Sequence, residues 1–155
     1  MHSLESICNA LAMHYAGTAI GTPTGASAMR ATYAQWPNNI PSTPCAIIAP
    51  MRGEFVDASD HTQIKHEIDV LFYVSKRQGD LPRSETERQK WLPYLLMATL
   101  SATHLGLAST GGVEYKSTLP SGYEFTTLNY GGDEYDGIVV HLEALVFDRS
   151  VTKAP

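Results

Sequence analysis

The histidines and carboxylates of this chain are the first residues to test for chemistry. Six histidines call for a metal test. His61 and His66 lie five apart, so on one continuous strand they point to opposite faces. His66-Glu67 begins like the helical zinc-protease motif, but Val70 stands where the second histidine belongs and the local pattern is that of a strand. His104 falls near a helix end, and His141 alternates onto the same strand face as Glu143. A small metal-dependent enzyme using His61, His66, His104 or His141 is therefore one alternative reading. Surface or interface histidines are the simpler one.

The carboxylates lead no further toward catalysis. Glu67 and Asp69 share a strand face at a spacing that a carboxylate dyad uses, yet no oxyanion hole or activated partner accompanies them. Asp133, Glu134 and Asp136 cluster at a turn without the spacing or the distal glutamate of a calcium loop. Gly25-Ala-Ser27-Ala-Met29 has the outline of a nucleophile elbow, but methionine occupies the second glycine position. There is no glycine-rich phosphate cradle. The residues predict no catalytic, cofactor-binding or metal site, no cofactor, and a protein that is not an enzyme.

The 155 residues suit one domain, expected over 1–150 with 151–155 as a flexible tail. Sixteen acids against eleven bases give a formal charge of −5, which argues against duplex-DNA binding, since phosphate neutralisation needs clustered Lys and Arg. Charged residues, at 17%, are fewer than in an average soluble protein, which hints at surface covered by partners. Glu5 sits where a secretory leader is apolar, and no run approaches the roughly 20 apolar residues of a membrane span. Cytosolic synthesis without a membrane partner is the expectation. Cys8 and Cys45 read as buried free thiols rather than as a disulfide framework.

Two stretches dominate the pattern of elements. In His66–Ser75, Ile68, Val70, Phe72 and Val74 make one clean apolar face, while Glu67, Asp69, Leu71 and Tyr73 make a mixed one. Ile138–Phe147 repeats the arrangement, with Val139, His141, Glu143, Leu145 and Phe147 on its mixed face. Before them, Ser3 caps a helix running to about Tyr15 with Leu4, Ile7, Cys8, Leu11 and Tyr15 on one stripe, stopped at Gly17. Ala28–Tyr33 and Cys45–Ala49 read as short strands, the second ended by Pro50, and residues 51–65 as the arm of a hairpin. Ser84 and Glu87 form a capping box, Pro93 predicts a kink or restart near Trp91-Leu92, and Leu92, Leu95, Leu96, Thr99, Leu100 and Thr103 form the second helix's stripe, ended at Gly106 or Gly111-Gly112. Segment 106–122 is expected to protrude. Tyr123–Tyr130, the turn at Gly131-Gly132 and Ile138–Phe147 make a closing hairpin. The sum is an α+β domain: a mainly antiparallel sheet of four to five strands with two helices packed on one face. The large side chains on the mixed faces need cover, and a partner and a loop of the same chain (such as 17–44) are equally good candidates.

The order of these features resembles the tail terminator (tail completion) proteins of long-tailed bacteriophages, and the related neck proteins of the head–tail junction. The likeness rests on the amphipathic first helix, Tyr33-Ala-Gln-Trp36-Pro37-Asn-Asn-Ile40, Thr43-Pro44-Cys-Ala-Ile-Ile-Ala-Pro50, the His66–Ser75 strand, Trp91-Leu92-Pro93-Tyr94-Leu95-Leu96, and Leu128-Asn-Tyr130-Gly131-Gly132-Asp-Glu-Tyr135-Asp-Gly137-Ile-Val-Val. It spans roughly Leu4 to Asp148. It implies a virion structural protein at the head-proximal end of the tail that forms a homo-oligomeric ring, commonly hexameric. Such a ring caps the tail tube, ends tube polymerisation and provides the head-joining surface. Its partners would be other copies of itself, the tail tube protein, and head connector or neck proteins, with DNA passing through unbound. On this reading Phe55, Leu71, Tyr73, His141, Glu143, Leu145 and Phe147 are the expected oligomer or partner interface, and Glu67, Asp69, Asp133 and Glu134 the expected bore-lining acids. A head-completion or stopper role is the nearest alternative, and a ligand-binding module with an enclosed apolar pocket a more distant one.

Overall fold

A computed structural model describes residues 3–16, 20–26, 28–39, 42–56, 62–77, 81–101 and 113–148. The chain order is α1 (Ser3–Tyr15), β1 (Ala31–Tyr33), β2 (Cys45–Val56), β3 (Thr62–Lys76), α2 (Leu81–Ser101), β4 (Val113–Tyr130) and β5 (Asp133–Asp148). All five strands join one sheet in the order β1-β2-β3-β5-β4. The architecture is α+β, but the sheet is mixed rather than the mainly antiparallel one expected. β1 runs parallel to β2, pairing Ala31 with Cys45 and Tyr33 with Ile47. Parallel neighbours need a crossover rather than a tight turn, so β1 and β2 do not form a hairpin.

The two apolar strand faces fold as their alternation dictates. Ile68, Val70, Phe72 and Val74 of β3 join Ile138, Val140, Leu142, Ala144 and Val146 of β5 in one buried cluster. Ile7, Cys8, Leu11 and Tyr15 of α1 and Trp91, Leu95 and Ala98 of α2 belong to the same cluster. Cross-links between the helices reinforce it. His14 Nε2 donates to the Ala98 carbonyl at 2.7 Å. Thr99 donates its hydroxyl to the Leu95 carbonyl, so it accepts from the Tyr15 hydroxyl. Burial pushes the Tyr15 phenol up to about 12, so it remains a donor at any ordinary pH. Cys8 and Cys45 are free and buried, and burial pushes each thiol up to about 11.

Four local expectations are corrected. α2 continues through Pro93 without a restart. Pro93 is exposed, so the carbonyl it leaves without an intrahelical partner lies toward water, while buried Trp91, Leu95, Ala98 and Thr99 hold the helix down on its other side. Leu100 is not in that buried stripe but 64% exposed. Pro50 does not end β2: Met51 is an extra residue at a register shift between Pro50 and Arg52, and pairing with β3 resumes to Val56 opposite Gln63. β4 begins at Val113, so 113–122 is strand, because β5 is long enough to pair with it as far as Asp148. The arm expected over 51–65 is the far end of the β2–β3 hairpin. Its tip at 57–61, with His61, lies outside the described residues, as do Gly17, Thr103, His104, Gly106, Gly111-Gly112 and the tail 151–155.

Candidate assembly surface

The β4–β5 turn sets the register of the mixed face. Gly131 and Gly132 both have positive φ, 60° and 84°, and Tyr130 pairs with Asp133, the geometry of a two-residue I′ hairpin that favours glycine at both positions. From there the ladder places Asp69 opposite His141, Glu67 opposite Glu143 and Lys65 opposite Leu145. On the outer side of β3, Arg52 lies opposite Glu67 and Glu54 opposite Lys65. These residues share one face, as paired residues of antiparallel strands do.

Their charges compensate one another. Arg52 grips Glu67 through Nε at 2.6 Å and Nη2 at 3.2 Å. The Lys65 ammonium sits 2.8 Å from Glu54 and 3.9 Å from Glu143. His141 Nδ1 donates to Asp69 Oδ1 at 2.7 Å. Directly opposed Glu67 and Glu143 would repel; Arg52 on one side and Lys65 on the other remove that conflict. The Arg52 hydrogen bond holds the Glu67 carboxyl below the usual carboxylate range. A carboxyl depressed in the folded state contributes stability above its unfolded pKa and loses it as pH falls through the folded one. Carbon chemical shifts through an acid titration should therefore show Glu67 deprotonating below the ordinary range, and Arg52→Ala should return it toward that range. An unchanged midpoint in Arg52→Ala would mean that the pair does not persist in solution.

Toward the β4–β5 turn the same face becomes aromatic. Cys45, Ile47, Tyr73 and Tyr135 form a second buried cluster, flanked by Tyr33, Leu71, Leu128 and Tyr130. Tyr73 packs edge-on to Tyr135 at 5.4 Å and to Tyr130 at 6.4 Å, and Tyr130 stacks on Trp36 at 6.0 Å. Tyr73 is thus 1% exposed, covered by its own chain, and has no surface to offer a partner. The cover comes from β1, the following segment and the β4–β5 hairpin. Leu71 is half-buried against the same cluster.

The remaining interface candidates stay at the surface. Phe55 is 75% exposed on the β2 arm, and His141, Glu143, Leu145 and Phe147 are half-buried along β5. Lys116 places its ammonium 4.9 Å from the centre of the Phe147 ring. The four acids expected to line a bore are not brought together. Asp133 precedes His141 by eight residues along β5, roughly 26 Å at strand rise, and pairs with Lys76 at 3.3 Å. Glu134 lies 3.9 Å from Arg77.

Several surface residues had no sequence-level signal beyond their type. Met51, Leu119, Tyr123, Phe125 and Met97 are exposed. Lys65 was detectable in principle, since alternation alone puts it with Glu67 and Asp69, whereas Arg52 meets Glu67 only through the β2–β3 register. Among the described residues no three His, Cys, Asp or Glu side chains are placed to hold a metal ion, and no helix is long and apolar enough to cross a membrane. A cavity of about 890 Å³ lies between α1 and the segment after β1, lined by Cys8, Asn9, Tyr33, Trp36, Ile48 and Pro50 among others. In comparisons with known proteins, no protein-family model matches the chain, and no curated protein matches it significantly.

Proposed function

We infer that this chain is a structural protein of a long-tailed phage. It assembles into a ring, with six copies as the expected number, that caps the tail tube, ends tube polymerisation and provides the surface to which the head joins. In this reading both helices seal one face of the sheet, and the charge-compensated mixed face with the β2–β3 arm meets neighbouring copies and the tube. The observation that carries it is the arm. Pro50–Val56 is exposed along its whole length, including Phe55 and Met51, yet it is paired strand rather than loose loop. An ordered strand arm that holds Met51, Phe55 and Val56 out in water is the kind of surface that a partner covers.

The test is electron microscopy of the purified chain, alone and added to polymerising tail tube protein from the same genome. The expected result is six-fold rings, and tubes whose growth stops with a ring at one end. Tubes that elongate unchanged, with no ring bound, would overturn the reading. Binding to the head connector but not to the tube would move the protein one step, to a stopper role. Light scattering on Leu145→Asp should show loss of the ring with circular dichroism unchanged; a surviving ring would place the subunit contact elsewhere.

A further inference from the structure

The sheet ends in two unlike edges. On one side β4, 18 residues long, has β5 as its one strand neighbour among the described residues. On the other, β1 covers no more of β2 than Cys45–Ile47, and Pro50–Val56 beyond it is exposed. Strands at the edge of a sheet are the ones that can template a further strand. Each of the two edges also carries a proline at a register shift, Pro50 before Arg52 and Pro120 before Gly122, the placement that edge strands tolerate.

The two edges match in direction, height and face. β2, β3, β5 and β4 are antiparallel in turn, so β2 and β4 run in opposite directions. Copies related only by rotation about a ring axis share one polarity, so β2 of one copy arrives antiparallel to β4 of the next. Phe55 pairs with Ile64, Ile64 with Val146, and Val146 with Tyr115; Phe55 and Tyr115 therefore stand at one height on the apolar side. By the same chain of pairings Glu54 is level with Ser117 and Arg52 with Leu119 on the mixed side. Charge agrees as well. Lys116 lies on the mixed side over Phe147, next to the height at which the neighbour's Glu54 arrives.

We propose that Arg52–Val56 of one copy adds as an antiparallel strand to Tyr115–Leu119 of the next. The junction joins two different patches, so it propagates instead of stopping at two copies. Phe55 packs beside Tyr115, the Arg52 stem covers Leu119, and Glu54 meets Lys116. Pairing β4 with a second β4 about a two-fold axis through this segment is the poorer solution, because it brings Lys116 near its own copy and leaves the β2 edge bare. The junction rests on the ring reading only for closure of the array.

The test is the full chain carrying Glu54→Cys and Ser117→Cys, oxidised mildly and run on a non-reducing gel. Cβ atoms of opposed antiparallel residues lie within disulfide reach, and the native thiols are buried. The expected result is a ladder of covalent multimers beyond the dimer, collapsed by reductant and absent from each single variant. As a second measurement, Glu54→Lys and Lys116→Glu should each lower the mass seen by light scattering, and the combination should restore it. Assemblies that form without a ladder would overturn the junction and leave the ring reading intact. A dimer from Ser117→Cys alone would overturn it in favour of β4–β4 pairing. A ladder arising from open filaments would support the junction and overturn ring closure. A monomer without a ladder at every concentration would overturn the junction.

Discussion

Replacing Trp91 by alanine is expected to cost about 3–5 kcal/mol of folding stability, the range for truncating a fully buried tryptophan. Trp91 is 2% exposed, and its ring packs on Phe72 with centroids 5.0 Å apart. It sits in the middle of α2, two residues before Pro93, where the helix has lost a backbone hydrogen bond. The side chain thus anchors α2 at its weakest turn by packing over Phe72 of β3. The loss is a large share of the ~5–15 kcal/mol that a domain of this kind has in total. Urea unfolding followed by circular dichroism should show a much lower midpoint, with Trp91→Phe recovering part of it. A loss below about 1 kcal/mol would mean that α2 is not held to the sheet at this point.

The second large effect comes from the smallest side chain in β5. A Cβ built on Gly137 falls 2.4 Å from Leu128 Cδ1 and 3.3 Å from the Phe72 carbonyl oxygen. Gly137 lies in the sheet between Tyr73 of β3 and Thr126 of β4, and it is absent from the glycines with positive φ. Space, and not backbone conformation, demands glycine here. Gly137→Ala must push Leu128 off the aromatic cluster around Tyr73 and Tyr135, and overpacking of this kind costs about 1–3 kcal/mol. Because the clash is with one side chain, Leu128→Ala should relieve it. A double-mutant cycle on urea midpoints should then give a coupling of about 1 kcal/mol between the two sites. Purely additive costs would show that the backbone contact with Phe72, and not Leu128, makes the position intolerant.

Both effects concern what covers the sheet, and this is where the sequence and the structure part company. Alternation in His66–Ser75 and Ile138–Phe147 was legible because a two-residue period has only two faces. The buried stripe of α1 and the Gly131-Gly132 turn were legible for the same reason: spacing and glycine chemistry act locally. The limits of β2, β4 and α2 were not. A proline reads locally as a stop, but a bulge at Met51, a long partner strand in β5 and a buried face around Trp91 each carried the element past its expected end. Those compensations come from residues distant in the chain.

The mixed face shows the same division most clearly. Its composition, half acidic and half apolar, was fixed by the order of residues in β3 and β5. Which half is free to act was decided only by the fold. The crossover that makes β1 parallel to β2 and the β4–β5 hairpin bring Tyr33, Tyr130 and Leu128 over Tyr73, removing it from any interface, while Arg52 and Lys65 arrive from neighbouring strand positions to neutralise Glu67 and Glu143. The sequence by itself determined one apolar strand face, one undecided face and a pair of amphipathic helices, because periodicity acts within a few residues. Only the tertiary structure settled which undecided residues are covered, which charges are paired and which of the described strands stand at the sheet's two ends, because each depends on contacts between segments many residues apart.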